Sequence, residues 1–262
     1  MNNILKILSY ITPLSKQDIE YNGVTFNPIG HVYLRRPLFC KDECLVCGKC
    51  CITEDNVYLP FEVENMHRTL KEHDINTDIH KVGGDMGYEK IKELVEALEP
   101  FKVTINGEEF DMFKCYLPPN TYEFPDRGTL QRCHWDVPVG DGLLGCSIHT
   151  VSSLTCKMPH IRFFHNAKNN TTSISHSQYG RNWAMKCPAQ VSKTDFDEGS
   201  LDTAIFNFKL LIKYCEYFKI QTWAPEVLEC LELVKQNGES YIDSVVDRDI
   251  TQGSIKKPIS LF

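Results

Sequence analysis

Four cysteines stand within eight residues in Cys44-Leu-Val-Cys47-Gly-Lys-Cys50-Cys51, with Cys40 four positions upstream, and nothing else in the chain constrains its fold so tightly. A two-residue spacing lets both sulfurs of a pair turn toward one metal ion, and Gly48 lets the backbone fold closely around it. Thiols this dense would otherwise carry the oxidation risk of exposed sulfur with no packing gain. The adjacent pair Cys50 and Cys51 point in different directions, so one ion cannot easily take both together with Cys44 and Cys47. The remaining ligands must come from afar: Cys133, Cys146 and Cys156 first, then Cys187, which is followed by Pro188. Eight sulfurs make two sets of four, enough for two tetrahedral zinc ions or two iron–sulfur clusters, with the division between sets left open.

The spacing favours iron. Three close cysteines plus a remote Cys-Pro pair resemble the arrangement that holds a 4Fe-4S cubane, whereas structural zinc draws on two C-x2-C knuckles and only one continuous series occurs here. Zinc is the alternative. Cys40-x3-Cys44-x2-Cys47 also fits the radical S-adenosylmethionine signature, with Gly83-Gly84-Asp85 downstream where a Gly-Gly-acid segment would meet the methionine amine. Against that reading stand Val46, where an aromatic is usual, and the lack of repeated strand–helix units. Gly83, Gly84 and Gly87 also precede a helix, but no GxGxxG or GxxxxGK[ST] motif supports a phosphate cradle.

The string from Cys44 to Cys51, then Cys133, Gly145-Cys146-Ser-Ile-His149 and Thr155-Cys156-Lys-Met-Pro159, resembles a family of zinc- or iron-chelating cysteine-rich domains. That family's hallmark is CxxCxxCC followed by a distal cysteine block, and flagellin lysine N-methylases carry a related motif. The resemblance covers Cys44 to Pro159, with Cys187 a further match. It departs from the pattern at His149 (usually Tyr), Ser152-Ser153 (usually Arg-Pro) and Lys157 (usually Arg). It implies metal binding, and it alone suggests methyl transfer to a protein.

Composition bounds the rest. Among 262 residues, 42% are hydrophobic and 24% charged, as expected of a globular chain. No run of about 18 uncharged apolar residues occurs and the N-terminus has no signal-peptide pattern, so no membrane association is expected and the protein reads as cytoplasmic. Twelve cysteines in a reducing compartment point to metal or redox chemistry before disulfides. The net charge of -7 argues against nucleic acid as a partner and leaves a small-molecule or protein substrate.

The expected fold is α+β, one domain over 1–262, with a cysteine-rich metal-binding core at 39–190 and a helical portion at 195–247. Hydrophobic spacing predicts a short helix ending before Pro13, helices after Pro60 and around Ile91 to Leu98, a hairpin about Asn106-Gly107, a strand from Thr171, and two helices over 200–218 and 225–235. Cys215 and Cys230 fall on the apolar faces of the last two and read as core thiols. From Cys115 to Pro159 there is no sustained period and five residues are proline, so loops ordered by metal are expected there.

His134, His149, His160 and His165 are candidates to replace a thiolate or to hydrogen-bond a cluster sulfur, and Arg35, Arg36, Arg162 and Lys168 to offset cluster charge or hold an anionic substrate. Cys40, Cys115, His149 and His160 lie beside the cysteine motifs without completing them, which marks them for roles beyond ligation. The size of the chain around the cysteine loops favours an enzyme of redox or group-transfer type over a bare electron carrier or a structural metal module.

Overall fold

The structure, a computed structural model, describes residues 3–28, 30–43, 57–75, 85–118, 120–124, 128–140, 143–148, 151–158, 161–176 and 190–252. The architecture is α+β, with helices and several small sheets. The chain divides into two compact units that interleave in sequence. One comprises Met1–Ile7, Cys44–Lys157 and Arg181–Pro188; the other comprises Leu8–Glu43, Met158–Gly180 and Ala189–Phe262. Each unit therefore draws on several stretches of chain, where the sequence suggested the contiguous portions 39–190 and 195–247. No helix among the described residues is long and apolar enough to cross a membrane.

In the first unit, the chain enters the helix Pro60–Ile75 through a local cap: the Leu59 N–H donates to Glu62 Oε2 at 2.8 Å, and the Glu62 N–H donates to the Leu59 carbonyl at 2.9 Å. These bonds satisfy donors that a helix start leaves without intrahelical acceptors. A second helix, Asp85–Glu96, contributes Ile91 and Leu94 to a core shared with Tyr58, Val63, Met66 and Trp135. The strands Leu98–Ile105 and Glu108–Cys115 form a hairpin whose turn residues, Asn106 (φ 52°) and Gly107 (φ 78°), both adopt the left-handed backbone that a two-residue hairpin turn needs. The short strand Val57–Tyr58 adds to its second strand.

The segment after Cys115 corrects the expectation of loops. Two further antiparallel hairpins occur there, Asn120–Phe124 with Gly128–Arg132 and Asp136–Gly140 with Leu143–Cys146, followed by a helical turn at Leu154–Lys157. Their strands are short and only weakly alternating, and prolines at 118, 119, 125 and 138 obscure the period on which sequence reading depends. The clue available in sequence was the Pro-Asp pair between the runs 120–124 and 128–132, which reads as turn chemistry.

In the second unit, a three-stranded sheet places Thr171–His176 at its centre, antiparallel to Ile161–Asn166 and parallel to His31–Leu34. The helix Glu198–Tyr217 starts at Asp197, whose carboxylate accepts from the Ser200 N–H at 2.7 Å. Its buried stripe of Leu201, Ile205, Phe208, Leu211 and Cys215 is the predicted one, with Phe218 buried just beyond the last turn. The helix Ala224–Asn237 buries Val227, Cys230, Leu231 and Val234, and Gly238 (φ 76°) closes it by donating its N–H to the Val234 carbonyl. The strand Cys40–Glu43, where a cysteine loop was expected to begin, instead pairs with Gln190–Phe196.

Candidate metal centre

Three successive hairpins of the first unit end in cysteine. Cys115 is the last residue of the hairpin 98–115, Cys133 directly follows the hairpin 120–132, and Cys146 is the last residue of the hairpin 136–146. An antiparallel hairpin brings its return strand back to the end where it began, so each of these thiols sits at a hairpin base and none at a turn. The bases are locked together. Asn120 Nδ2 donates to the His134 carbonyl at 2.8 Å, and the Ser147 N–H and hydroxyl both donate to the Trp135 carbonyl at 2.9 Å. Cys115 belongs to the buried cluster of Tyr58, Met66, Leu94 and Trp135, and Cys133 and Cys146 pack against it half-buried.

Cys156 reaches the same region from the helical turn 154–157, whose first bonds run from the Cys156 N–H to the Ser153 carbonyl at 2.9 Å. Its residue keeps solvent-accessible surface, yet desolvation by the surrounding protein raises its thiol pKa against hydrogen bonds from Ser153 and Thr155 that lower it. Tyr58 is fully buried, and its phenol is pushed well above the ordinary tyrosine range, first by desolvation and then by the charges of Cys156, Cys115, Cys133 and Glu62 around it. Lys157 responds to Glu62, Cys156 and Cys146, although desolvation dominates and lowers its pKa.

Of the eight expected ligands, Cys133, Cys146 and Cys156 are thus brought to one region. Cys44, Cys47, Cys50, Cys51 and Cys187 lie outside the described residues, as do Gly83, Gly84, His149 and His160. Among the described residues no three His, Cys, Asp or Glu side chains close on a point that could hold a metal ion. The described donors are soft thiols in an apolar shell, a set whose chemistry fits zinc or an iron–sulfur cluster and fits poorly the oxygen-seeking ions magnesium and calcium. The seven described cysteines are thiols, none in a disulfide.

Other candidates turn out to be committed elsewhere. His134 places Nε2 2.6 Å from Glu93 Oε1 and Nδ1 3.1 Å from the Pro118 carbonyl, so neither ring nitrogen is left for a metal. Burial tends to raise the Glu93 pKa, but hydrogen bonds from Lys90 and His134 outweigh it and hold the carboxyl below the usual range. His165 is exposed on the strand 161–166, in register with Thr172. Arg35 pairs with Asp247, and Arg36 with Glu239 (3.0 Å) and Asp243 (3.1 Å), so both guanidiniums serve carboxylates of the second unit. Lys168 lies exposed in the turn between the strands 161–166 and 171–176.

Cys40 belongs to the second unit, is 1% exposed, and donates its thiol to the Arg36 carbonyl at 3.4 Å. Burial raises its pKa, which opposes the thiolate form a metal ligand needs. The described strands form two- and three-stranded sheets, all antiparallel but for one pairing, and no strand–helix barrel segment appears among them. The radical S-adenosylmethionine reading of Cys40, Cys44 and Cys47 therefore gains nothing from the fold. Burial pushes Cys215 and Cys230 up to about 12 each, as core thiols require.

The residues that the sequence did not single out are Tyr58 and Glu62, and Cys115 gains a place within the cysteine region itself. The available signal was that Tyr58 and Glu62 flank a predicted helix start, which gives no hint of proximity to thiols some distance along the chain. The fold and site thus define a cysteine-rich α+β protein. Compared with family models, with curated proteins and with solved structures, the chain matches none.

Proposed function

We propose that this chain is a metal-binding protein that carries iron–sulfur through Cys44, Cys47, Cys50, Cys51, Cys133, Cys146, Cys156 and Cys187. The observation that supports it is the return of Cys133 and Cys146 to hairpin bases beside one buried cluster, with Cys156 drawn to the same region. Thiols far apart in sequence that gather at hairpin ends beside one cluster support a shared role for them. When bound, an iron–sulfur group would supply electron transfer or Lewis acidity. The protein's part is to hold the thiolates, to shield them with Trp135, Met66 and Leu94, and to keep His134 locked to Glu93.

We read the activity as redox or group transfer on a small-molecule or protein substrate, methyl transfer resting on the motif resemblance alone. A closed structural zinc site is the second reading, favoured by the rooting of Cys133 and Cys146 on hairpins, since short two-stranded sheets gain most from a metal clip. Anaerobic purification followed by metal analysis and visible absorption separates the two. Iron with sulfide and a brown charge-transfer absorption is the expected result. Colourless protein with stoichiometric zinc overturns the iron assignment, and folded, metal-free protein overturns metal binding altogether.

A further inference from the structure

We propose that the strand Ile161–Asn166 is a docking edge for an extended, acidic segment of a partner protein, which adds to the sheet of the second unit as a further strand. The inference stands apart from the metal-binding reading. In that three-stranded sheet Thr171–His176 is the centre, and the two outer strands differ in what covers them. The edge of His31–Leu34 is taken by the chain's own residues 246–249: Leu34 bridges Val246, Tyr33 bridges Asp249, and the Asp247 N–H donates to the Leu34 carbonyl at 2.9 Å. Side chains reinforce that pairing. Asp249 Oδ2 lies 2.6 Å from His31 Nδ1, and Asp247 pairs with Arg35 just past the strand. One edge of this sheet thus already holds an acidic segment, with carboxylates two residues apart answering basic side chains of the edge.

At the other edge, no described strand pairs with the outer side of Ile161–Asn166. Its six residues include no proline or glycine, so they offer an unbroken row of backbone donors and acceptors that a further strand can take up. Arg162, His165 and, in the turn that follows, Lys168 are exposed, and Phe164 is 40% exposed. From Met158 to Gly180 the sequence has no Asp or Glu, in a chain whose net charge is -7. The stretch is a local basic exception, and carboxylates are its complement. A second copy of the same strand would bring like charges together, which opposes self-pairing. A nucleic acid could answer the cations, but it cannot extend a β-ladder.

The probe is the fluorescent hexapeptide (Glu-Val)3 with blocked termini, titrated into the full chain and followed by anisotropy. Saturable binding is expected, weakened about tenfold when Arg162→Glu and Lys168→Glu are combined, a charge reversal at two exposed positions. N-methylation of one of the two alternate sets of probe amides should abolish binding to the wild type, because it removes ladder donors and leaves the charge untouched. Amide exchange followed by NMR should show added protection within 161–166 when the probe is bound. Absence of binding, equal binding of both N-methylated probes, or equally tight binding of a single-stranded thymidine dodecamer would each overturn the proposal. Full protection of 161–166 in the protein alone would also overturn it, since a second copy or another part of this chain would then already cover the edge.

Discussion

At the scale of single residues the cysteines separate into two kinds by environment. Cys215 and Cys230 are buried on facing helices and held near a pKa of about 12, so at neutral pH they stay protonated and unreactive. Cys133 and Cys146 are half-buried at hairpin bases, and Cys156 keeps accessible surface. Serine at Cys133, Cys146 or Cys156 should lower bound metal per chain, measured by elemental analysis. Serine at Cys215 or Cys230 should leave that ratio unchanged and lower unfolding free energy by about 1–3 kcal/mol in urea titrations, the cost of placing a hydroxyl in an apolar core. Equal metal loss from both groups would contradict the division. The sequence could assign Cys215 and Cys230 to the core because helical period alone decides which face is apolar. It could not assign His134, whose two hydrogen-bond partners, Glu93 and the Pro118 carbonyl, come from other parts of the chain.

At the scale of elements, local chemistry explains what the sequence revealed. Asn106-Gly107 specifies its hairpin because both residues tolerate positive φ, and the helix 198–217 is specified by its apolar stripe together with an Asp197 cap. Replacing Asp197 with Ala should cost about 1 kcal/mol, the usual worth of an N-cap, because the Ser200 N–H loses its acceptor. Thermal unfolding of the two proteins measures it, and an unchanged midpoint would show the cap to be replaceable by water. The hairpins 120–132 and 136–146 escaped notice because each forms a sheet of only two strands. Such sheets are marginal alone in water, and what stabilises them lies outside their own residues.

At the scale of the whole molecule, that marginal stability is what would make the fold of the first unit depend on metal under the proposed metal-binding reading. Chelation should abolish hydrogen-exchange protection in the hairpins 120–132 and 136–146, while the helices 198–217 and 224–237, closed over their own apolar core, keep theirs. Exchange followed by mass spectrometry before and after metal removal checks this. Uniform protection throughout would show that the hairpins stand without metal. The two units interleave in sequence, so cutting the chain at 190 or 195 would divide the second unit, which begins at Leu8 and returns at Met158.

The sequence by itself determined the α+β class, the helices with a clean apolar period, the Asn-Gly hairpin and the cysteine inventory, because each follows from backbone preference or from residues close along the chain. Only the tertiary structure decided that the chain closes as two interleaved units and that Arg35 and Arg36 answer Asp247, Glu239 and Asp243. It also brought Tyr58 and Glu62 to the cysteines of distant hairpins. These are pairings between residues far apart in sequence, and no local periodicity encodes them: they arise when hairpin return strands and helix faces find a common apolar core, whose burial is cooperative and non-directional.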